Sequence, residues 1–141
     1  MAGIYGADGK RTRSGFMLAA LIDTAYLTGQ RIGDLLALQW SAFGQDGITF
    51  TPSKTGKSTG ASVLIEWTPR LRELEARLKA LRQERRAFGG YVFTKIASKK
   101  GQQKAGQPYT YWGAITAWRR ACERAGITDL HFHDLRAKAT R

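Results

Sequence analysis

Apolar residues along the chain recur with a helical period in several segments. After Ser14 they repeat at i, i+3, i+4, i+7 and i+8, which predicts an amphipathic helix that ends at Gly29. A second, short helix is predicted from about Arg31. The predicted buried residues are Leu18, Leu21, Ile22, Ala25 and Tyr26 in the first helix, and Ile32, Leu35 and Leu36 in the second. This stripe places Tyr26 in the core.

Beyond Gly44 the period changes to an alternation of apolar and polar residues. Ile48 and Phe50 alternate with threonines, and Val63, Ile65 and Trp67 occupy every second position of a later run. Residues 52–60 between the two runs are polar and rich in turn-forming residues. The pattern therefore predicts a β-hairpin with a mobile, basic tip.

The helical period returns after the predicted hairpin. Thr68-Pro69 is a helix-start signal, and a seam of leucines follows it to about Arg86. Residues 91–93 are predicted to form a short strand or a packed turn, and residues 98–108 a loop. Another helix should end at Gly126, and a last one should begin near His133. The seam residues are Leu71, Leu74, Leu78 and Leu81, and the helix before Gly126 is marked by Ile115, Trp118, Cys122 and Ala125.

The order of these elements predicts a mainly α fold with a small antiparallel β-sheet. A single domain is predicted over residues 14–141, preceded by a linker or disordered start over residues 1–13. We find neither an apolar run that could span a bilayer nor a signal peptide, and we expect a soluble, cytoplasmic protein. One cysteine and two histidines argue against a disulfide or a structural zinc site.

The net charge of the chain restricts the class of molecule that it is expected to bind. The 141 residues contain 23 Lys and Arg against 11 Asp and Glu, which gives a formal net charge of +12. Such an excess attracts a polyanion and releases its counterions, so nucleic acid is the leading partner. Charge alone does not separate DNA from RNA or from an acidic membrane.

Three segments carry candidate chemistry. Arg31 at a helix start could fork onto phosphate oxygens, or form a surface pair with Asp34. Lys54 on the predicted hairpin tip could donate a proton to a departing oxygen, with Lys57 as its rival, or simply be solvated. His133 and Arg136, three residues apart, share a helix face that suits a phosphate; the alternative is local capping and an ion pair.

Other basic and aromatic residues are less specific. Lysines between the predicted helices could grip a DNA backbone beside neighbouring aromatic residues, or they could form a solvated loop over aromatic core residues. The lysines are Lys95, Lys99, Lys100 and Lys104, and the aromatic residues are Tyr91, Phe93, Tyr109, Tyr111 and Trp112. Of these, Lys99 and Lys100 are our candidate DNA-binding residues, together with Lys57.

Together the three segments resemble the tyrosine recombinases, the family that includes phage integrases. Thr28 to Trp40 resembles the segment around the family's first active-site arginine. Ser53-Lys54-Thr55 resembles the family's hairpin lysine, and His133-Asp134-Leu135-Arg136 resembles its His-x-x-Arg box. The three occur in the family's order, and their coincidence is far more specific than any one of them.

The resemblance implies a DNA breaking-rejoining catalytic fold and a function. Arg31 and Arg136 would bind the scissile phosphate of double-stranded DNA, Lys54 would protonate the leaving 5′ hydroxyl, and His133 would assist proton transfer. A tyrosine would form a 3′-phosphotyrosyl link, without metal, ATP or another cofactor. A monomer is expected in isolation and a tetramer of the full-length protein on DNA. The protein is expected to be bacterial or phage-encoded and associated with the nucleoid.

One departure from the family concerns the nucleophile. The family places its tyrosine after the His-x-x-Arg box, whereas all five tyrosines here precede His133. We therefore expect a catalytic domain truncated before its nucleophile and inactive by itself. The alternative hypothesis is a non-catalytic DNA-binding module that uses the recombinase fold for regulation.

Overall fold

The computed structural model describes residues 15–51, 61–85, 88–95 and 107–139. Five α-helices and a two-stranded sheet occur in these ranges, and a 3-10 turn at Trp40–Ala42 joins the second helix to the sheet. The helices are α1 (Gly15–Thr28), α2 (Ile32–Leu36), α3 (Pro69–Arg85), α4 (Tyr111–Ala125) and α5 (Asp134–Ala139), and the strands are β1 (Gly47–Phe50) and β2 (Val63–Glu66). The predicted start at residues 1–13 lies outside the described residues and stays a prediction.

Helix α1 is the centre of the packing, because α2, α3, α4 and α5 all contact it. It ends where the sequence predicts, since Gly29 adopts a left-handed φ of 68°. The prediction for Tyr26 is wrong: this side chain is 43% exposed. Thr24 and Thr28 are buried on α1 instead. Burial is tolerated because the Thr24 hydroxyl donates to the Ala20 carbonyl and the Thr28 hydroxyl to the Thr24 carbonyl, both at 2.7 Å. The buried stripe is consequently displaced toward the threonines and leaves Tyr26 at the surface.

The predicted strand pair is present. β1 and β2 are antiparallel, with Ile48 opposite Ile65 and Phe50 opposite Val63. Ile48 and Phe50 face the core, whereas Val63 is 39% exposed and Ile65 is half-buried. One face of this small sheet therefore contributes to the hydrophobic core that the helices share. Residues 52–60, which the sequence predicts to form the hairpin tip, lie outside the described residues.

Gly47 begins β1 at a point where the backbone of β2 lies close. A Cβ built on Gly47 would lie 2.1 Å from the carbonyl oxygen of Ile65. Glycine is found in strands at such close backbone approaches because it has no side chain to clash.

We expect Gly47→Ala to destabilise the chain by roughly 2 kcal/mol, since backbone atoms must shift to admit the methyl group. Equilibrium urea unfolding followed by circular dichroism measures this loss. Gly33→Ala is the matched control, because nothing lies within 4 Å of a Cβ at Gly33. Equal stability of the two variants would contradict the close approach of the strands.

Helix α3 confirms the predicted start signal and leucine seam. The Thr68 hydroxyl accepts a hydrogen bond from the Leu71 amide at 3.1 Å, as an N-cap residue does. The four seam leucines are all buried: Leu71, Leu74, Leu78 and Leu81. On the outer surface, Arg77 of α3 pairs with Asp23 of α1. The buried leucines thus pack α3 into the core, and the Arg77–Asp23 ion pair joins it to α1 at the surface.

Residues 88–95 form a packed turn held by isolated bridges, the second of the two predicted alternatives. Tyr91 bridges Gln39, and Thr94 bridges Pro108. Phe93 between them is fully buried. This segment therefore fills the core between the α2–β1 connection and the start of α4.

Helix α4 ends as predicted, with Gly126 in a left-handed conformation at φ 70°. Trp118 and Cys122 are buried on its inner face. Burial of Cys122 removes water from the thiol and raises its pKa, so this side chain stays protonated and serves packing. Within the described ranges, no helix combines the length and apolarity needed to cross a bilayer.

Candidate functional site

The turn between α1 and α2 positions Arg31. The hydroxyl of Thr28 accepts a hydrogen bond from the Gln30 amide at 3.4 Å, and the Gly29 amide donates to the Ala25 carbonyl. Arg31 then has extended dihedrals, φ −72° and ψ 150°, and its carbonyl accepts from the Leu35 amide as α2 begins. The side chain of Arg31 is exposed while Leu35 is buried. A short, hydrogen-bonded connection thus presents this guanidinium at the surface.

The segment from Leu130 to Arg136 is held by the core beneath it. The Trp118 indole N–H donates to the Leu130 carbonyl at 3.1 Å. The ring of Trp118 also meets Phe132 edge-on, with 5.3 Å between ring centroids, and Phe132 is buried. These two contacts fix the approach of the chain to α5 from α4.

Asp134 caps α5 by reaching back along the chain. Its carboxylate accepts from the His131 amide at 2.8 Å, and its own amide donates to the His131 carbonyl at 3.0 Å. The carboxylate bond corresponds to one half of a capping box, in which an acidic side chain reaches back to the amide three residues earlier. His133 remains 81% exposed, with Nε2 3.8 Å from a carboxylate oxygen of Asp134. The cap therefore leaves the imidazole free to face solvent.

The two arginine segments meet through one hydrogen bond. Nε of Arg136 donates to the carbonyl oxygen of Gly29 at 2.8 Å. This contact joins residues that are 107 positions apart in the sequence. Gly29 is two residues before Arg31, so this bond brings the two guanidinium-bearing segments together. An open cleft of about 500 Å³ is lined by Arg31, His133 and Arg136 among others. Three of the four predicted catalytic residues therefore share one cleft.

The cleft has the chemistry of an oxyanion site. Two exposed guanidinium groups supply several N–H donors and two permanent positive charges. The imidazole of His133 lines the same cleft, and its two ring nitrogens are a hydrogen-bond donor and acceptor. Such a set can bind a phosphate group, offset charge that develops on its oxygens, and assist proton transfer. Among the described residues, no group of three His, Cys, Asp or Glu side chains could hold a metal ion.

A family model described as the phage integrase family matches residues 6–141. The chain belongs to this family. No relative among curated protein sequences matches the chain. Family membership agrees with the resemblance inferred from the three sequence segments, and it covers nearly the whole chain.

Solved structures show the same fold. The lambda integrase catalytic core is similar at a TM-score of 0.63 and 24% identity, over 89% of this chain and 73% of that one. A lambda integrase (75–356) dimer bound to a COC′ core site is similar at a TM-score of 0.62 and 22% identity. This match covers 89% of this chain and 44% of that chain. A lambda integrase tetramer bound to a Holliday junction is similar at a TM-score of 0.61 and 22% identity, over 89% of this chain and 35% of that chain. At these identities the likeness concerns the fold, and it confirms the mainly α architecture with a small antiparallel sheet.

Four lysines predicted as site residues in this integrase-family chain lie outside the described residues. These are the catalytic candidate Lys54 and the DNA-binding candidates Lys57, Lys99 and Lys100. Their roles therefore stay predictions. Lys95 is described and half-buried, and its backbone amide donates to the Gln107 carbonyl at 2.8 Å.

The aromatic residues around α4 divide between the two alternatives that the sequence left open. Phe93 is core, whereas Tyr111 and Trp112 are 49% and 76% exposed and pack edge-on, with ring centroids 5.4 Å apart. Tyr111 also lines the Arg31–Arg136 cleft, a placement that sequence reasoning missed. The available signal was local: Thr110 caps α4, so Tyr111 starts the helix, where no preceding helical turn covers it.

Proposed function

We propose that the chain is part of the catalytic domain of a site-specific DNA recombinase and that its cleft binds the scissile phosphate. The observation that carries the proposal is the convergence of Arg31, His133 and Arg136 on one cleft, with Arg136 hydrogen-bonded beside the Arg31 turn. Membership of the phage integrase family supports the reaction class.

In this proposal each residue has a distinct task. Arg31 and Arg136 bind the non-bridging oxygens of the phosphate and stabilise the charge that builds up in the transition state. His133 assists proton transfer at the attacking hydroxyl. Lys54, which lies between β1 and β2 in the sequence, protonates the leaving 5′ oxygen. Lys57, Lys99 and Lys100 add contacts to the DNA backbone.

The proposed reaction exchanges one phosphodiester for another. A tyrosine hydroxyl attacks phosphorus, the 3′-phosphotyrosyl bond forms, and the 5′ hydroxyl leaves with a proton. A DNA strand hydroxyl later reverses the step, and the bond energy is retained in the phosphotyrosyl link, so no cofactor is required. All five tyrosines of the chain precede His133. We therefore assign the nucleophile to a residue outside these 141, and cleavage to the parent protein rather than to this fragment.

Double-stranded DNA is the proposed partner, and the net charge of +12 supports it. The similar lambda integrase structures include a dimer on a core site and a tetramer on a Holliday junction. We propose by analogy that this chain is a monomer alone and that its parent assembles as a tetramer on DNA in the nucleoid.

Salt-dependent duplex binding tests the proposal. We expect weak binding to a fluorescently labelled duplex. Its affinity should fall by roughly 40- to 150-fold between 50 and 200 mM salt, as neutralisation of about three to four phosphates requires. Fluorescence anisotropy gives the affinity, and NMR of the His133 ring reports whether the cleft is occupied.

Two results would count against the assignment. Salt-independent binding would mean that phosphate contacts do not drive the association. Saturating DNA that leaves the His133 signals unmoved would mean that DNA binds elsewhere on the basic surface. Reading the parent gene beyond Arg141 separates the enzyme from a regulatory module, because only the enzyme requires a tyrosine downstream of the His-x-x-Arg box.

A further inference from the structure

Tyr111 lines the Arg31–Arg136 cleft but has no role in the reaction proposed above. It shares the lining of this cleft with Arg31, His133 and Arg136. Its side chain is 49% exposed, so the ring is accessible from solvent. A molecule bound between the two arginines therefore has an aromatic ring within its reach.

The start of α4 holds Tyr111 in place. The Thr110 hydroxyl caps this helix by accepting from the Gly113 amide at 3.0 Å. The ring of Tyr111 meets the ring of Trp112 edge-on, with 5.4 Å between their centroids. Among the described residues, neither arginine of the cleft stacks on the Tyr111 ring. The ring is thus positioned by its own helix and keeps surface available for a ligand.

Beside Tyr111 the cleft continues into a groove of about 600 Å³. Four residues line both of them: Ile32, Tyr111, Phe132 and His133. The rest of the groove is mostly apolar and includes Ile115 and the 38% exposed Ile127. Neither arginine of the cleft lines it, and its charged side chains have both signs: Arg119, Glu123 and Asp129. Tyr111 therefore lies where a cationic surface changes into an apolar one.

This change in surface matches the structure of a DNA strand next to a phosphate. The phosphate oxygens carry the charge, and the deoxyribose bonded to them carries C–H groups. Such groups gain from packing on an aromatic ring because apolar surface is removed from water. A base of a duplex would first have to leave the helical stack, which is unfavourable, whereas the sugar is already at the surface. The sugar is consequently the part of the nucleotide that fits Tyr111.

We infer that Tyr111 binds the deoxyribose attached to the phosphate in the Arg31–Arg136 cleft. The ring packs on the C–H groups of the sugar, with Ile32 beside it at the entrance of the groove. Tyr111 thereby makes the site select a sugar phosphate ester over a phosphate that carries no sugar. The contact requires the ring and not the phenol hydroxyl. This inference rests on the proposed function of the cleft as a phosphate site.

Two phosphate monoesters of equal charge test the inference on the 141-residue chain. Methyl phosphate carries no sugar, whereas 1,2-dideoxyribose 5-phosphate carries the sugar of DNA without a base. We expect the sugar ester to bind roughly fivefold more tightly, as burial of about 40 Å² of apolar surface provides. NMR titration gives both affinities. The ring signals of Tyr111 should shift saturably with the sugar ester and much less with methyl phosphate.

Variants separate the ring from the phosphate site. Tyr111→Ala should abolish the preference for the sugar ester and leave the affinity for methyl phosphate within about twofold, because the arginines remain. Tyr111→Phe retains the ring and should retain the preference. Tyr26→Ala is the matched control, since Tyr26 is 43% exposed and does not line the cleft. Arg136→Ala should weaken binding of both esters by similar factors.

The results distinguish this inference from the function on which it rests. Equal binding of the two esters, weakened in Arg136→Ala, would overturn the role of Tyr111 and support the phosphate site. A preference that survives Tyr111→Ala, or one that disappears in Tyr111→Phe or Tyr26→Ala, would also overturn the assignment of the sugar to this ring. Binding of neither ester, or binding that Arg136→Ala leaves unchanged, would overturn the proposed function and this inference with it.

Discussion

Arg136→Ala is expected to weaken binding of inorganic phosphate and of duplex DNA by about 10- to 100-fold. In the proposed site the guanidinium supplies charge-assisted hydrogen bonds to the phosphate, and each such bond contributes about 1.5–3 kcal/mol. Arg136 also donates to the Gly29 carbonyl, next to the turn that carries Arg31. Its removal therefore costs a ligand contact and releases the neighbouring segment. Isothermal titration with the duplex and NMR titration with phosphate measure the loss.

The control for this variant is Arg120→Ala, which removes the same charge from an exposed position on α4 that does not line the cleft. Phosphate affinity at the cleft should stay within about twofold of the parent chain, because charges at the surface are screened. If both arginines bind one phosphate, as proposed, the losses caused by Arg31→Ala and Arg136→Ala should not add up in the double variant. Equal losses of phosphate affinity in Arg120→Ala and Arg136→Ala would show that phosphate is held by the overall positive charge rather than by a specific site.

Phe93→Ala is expected to produce the largest loss of stability, about 3–5 kcal/mol in the free energy of unfolding. Phe93 is fully buried, and its carbonyl accepts from the Tyr109 amide at 3.2 Å, which joins the packed turn to the start of α4. Truncation leaves a cavity that the surrounding helices cannot fill completely. Urea unfolding monitored by circular dichroism should show a lower midpoint with little change in slope.

Phe88→Ala is the matched control, since the same side chain is removed from a position that is 56% exposed. Its cost should be below about 1 kcal/mol, mostly the loss of its contact with the Arg82 guanidinium. A loss for Phe93→Ala as small as that for Phe88→Ala would show that Phe93 does not form part of the core.

Local signals in the sequence determined the helices and their ends. Gly29 and Gly126 end α1 and α4 with left-handed dihedrals, and Thr68 caps α3, as the residue types predict. The buried leucines of α3 follow directly from their spacing. These features depend on groups within one or two turns of each other, so a linear pattern contains the information. The family resemblance likewise rests on three short segments, and the match over residues 6–141 confirms it.

Long-range packing decided what the local patterns did not contain. Tyr26 continues the apolar stripe of α1 yet is exposed, because Thr24 and Thr28 satisfy their hydroxyls within the helix and occupy the interior. Tyr111 lines the candidate site only because α4 begins beside the Arg31 turn.

Long-range packing also assembled the candidate site. Sequence spacing places His133 beside Arg136, but nothing local relates either residue to Arg31. The hydrogen bond from Arg136 to Gly29 exists because α1 and α5 pack together across a separation of 107 residues. Residue types thus specified the chemistry of the cleft. Tertiary structure alone decided that its two arginines line the same cleft, because their placement depends on how distant helices share one core.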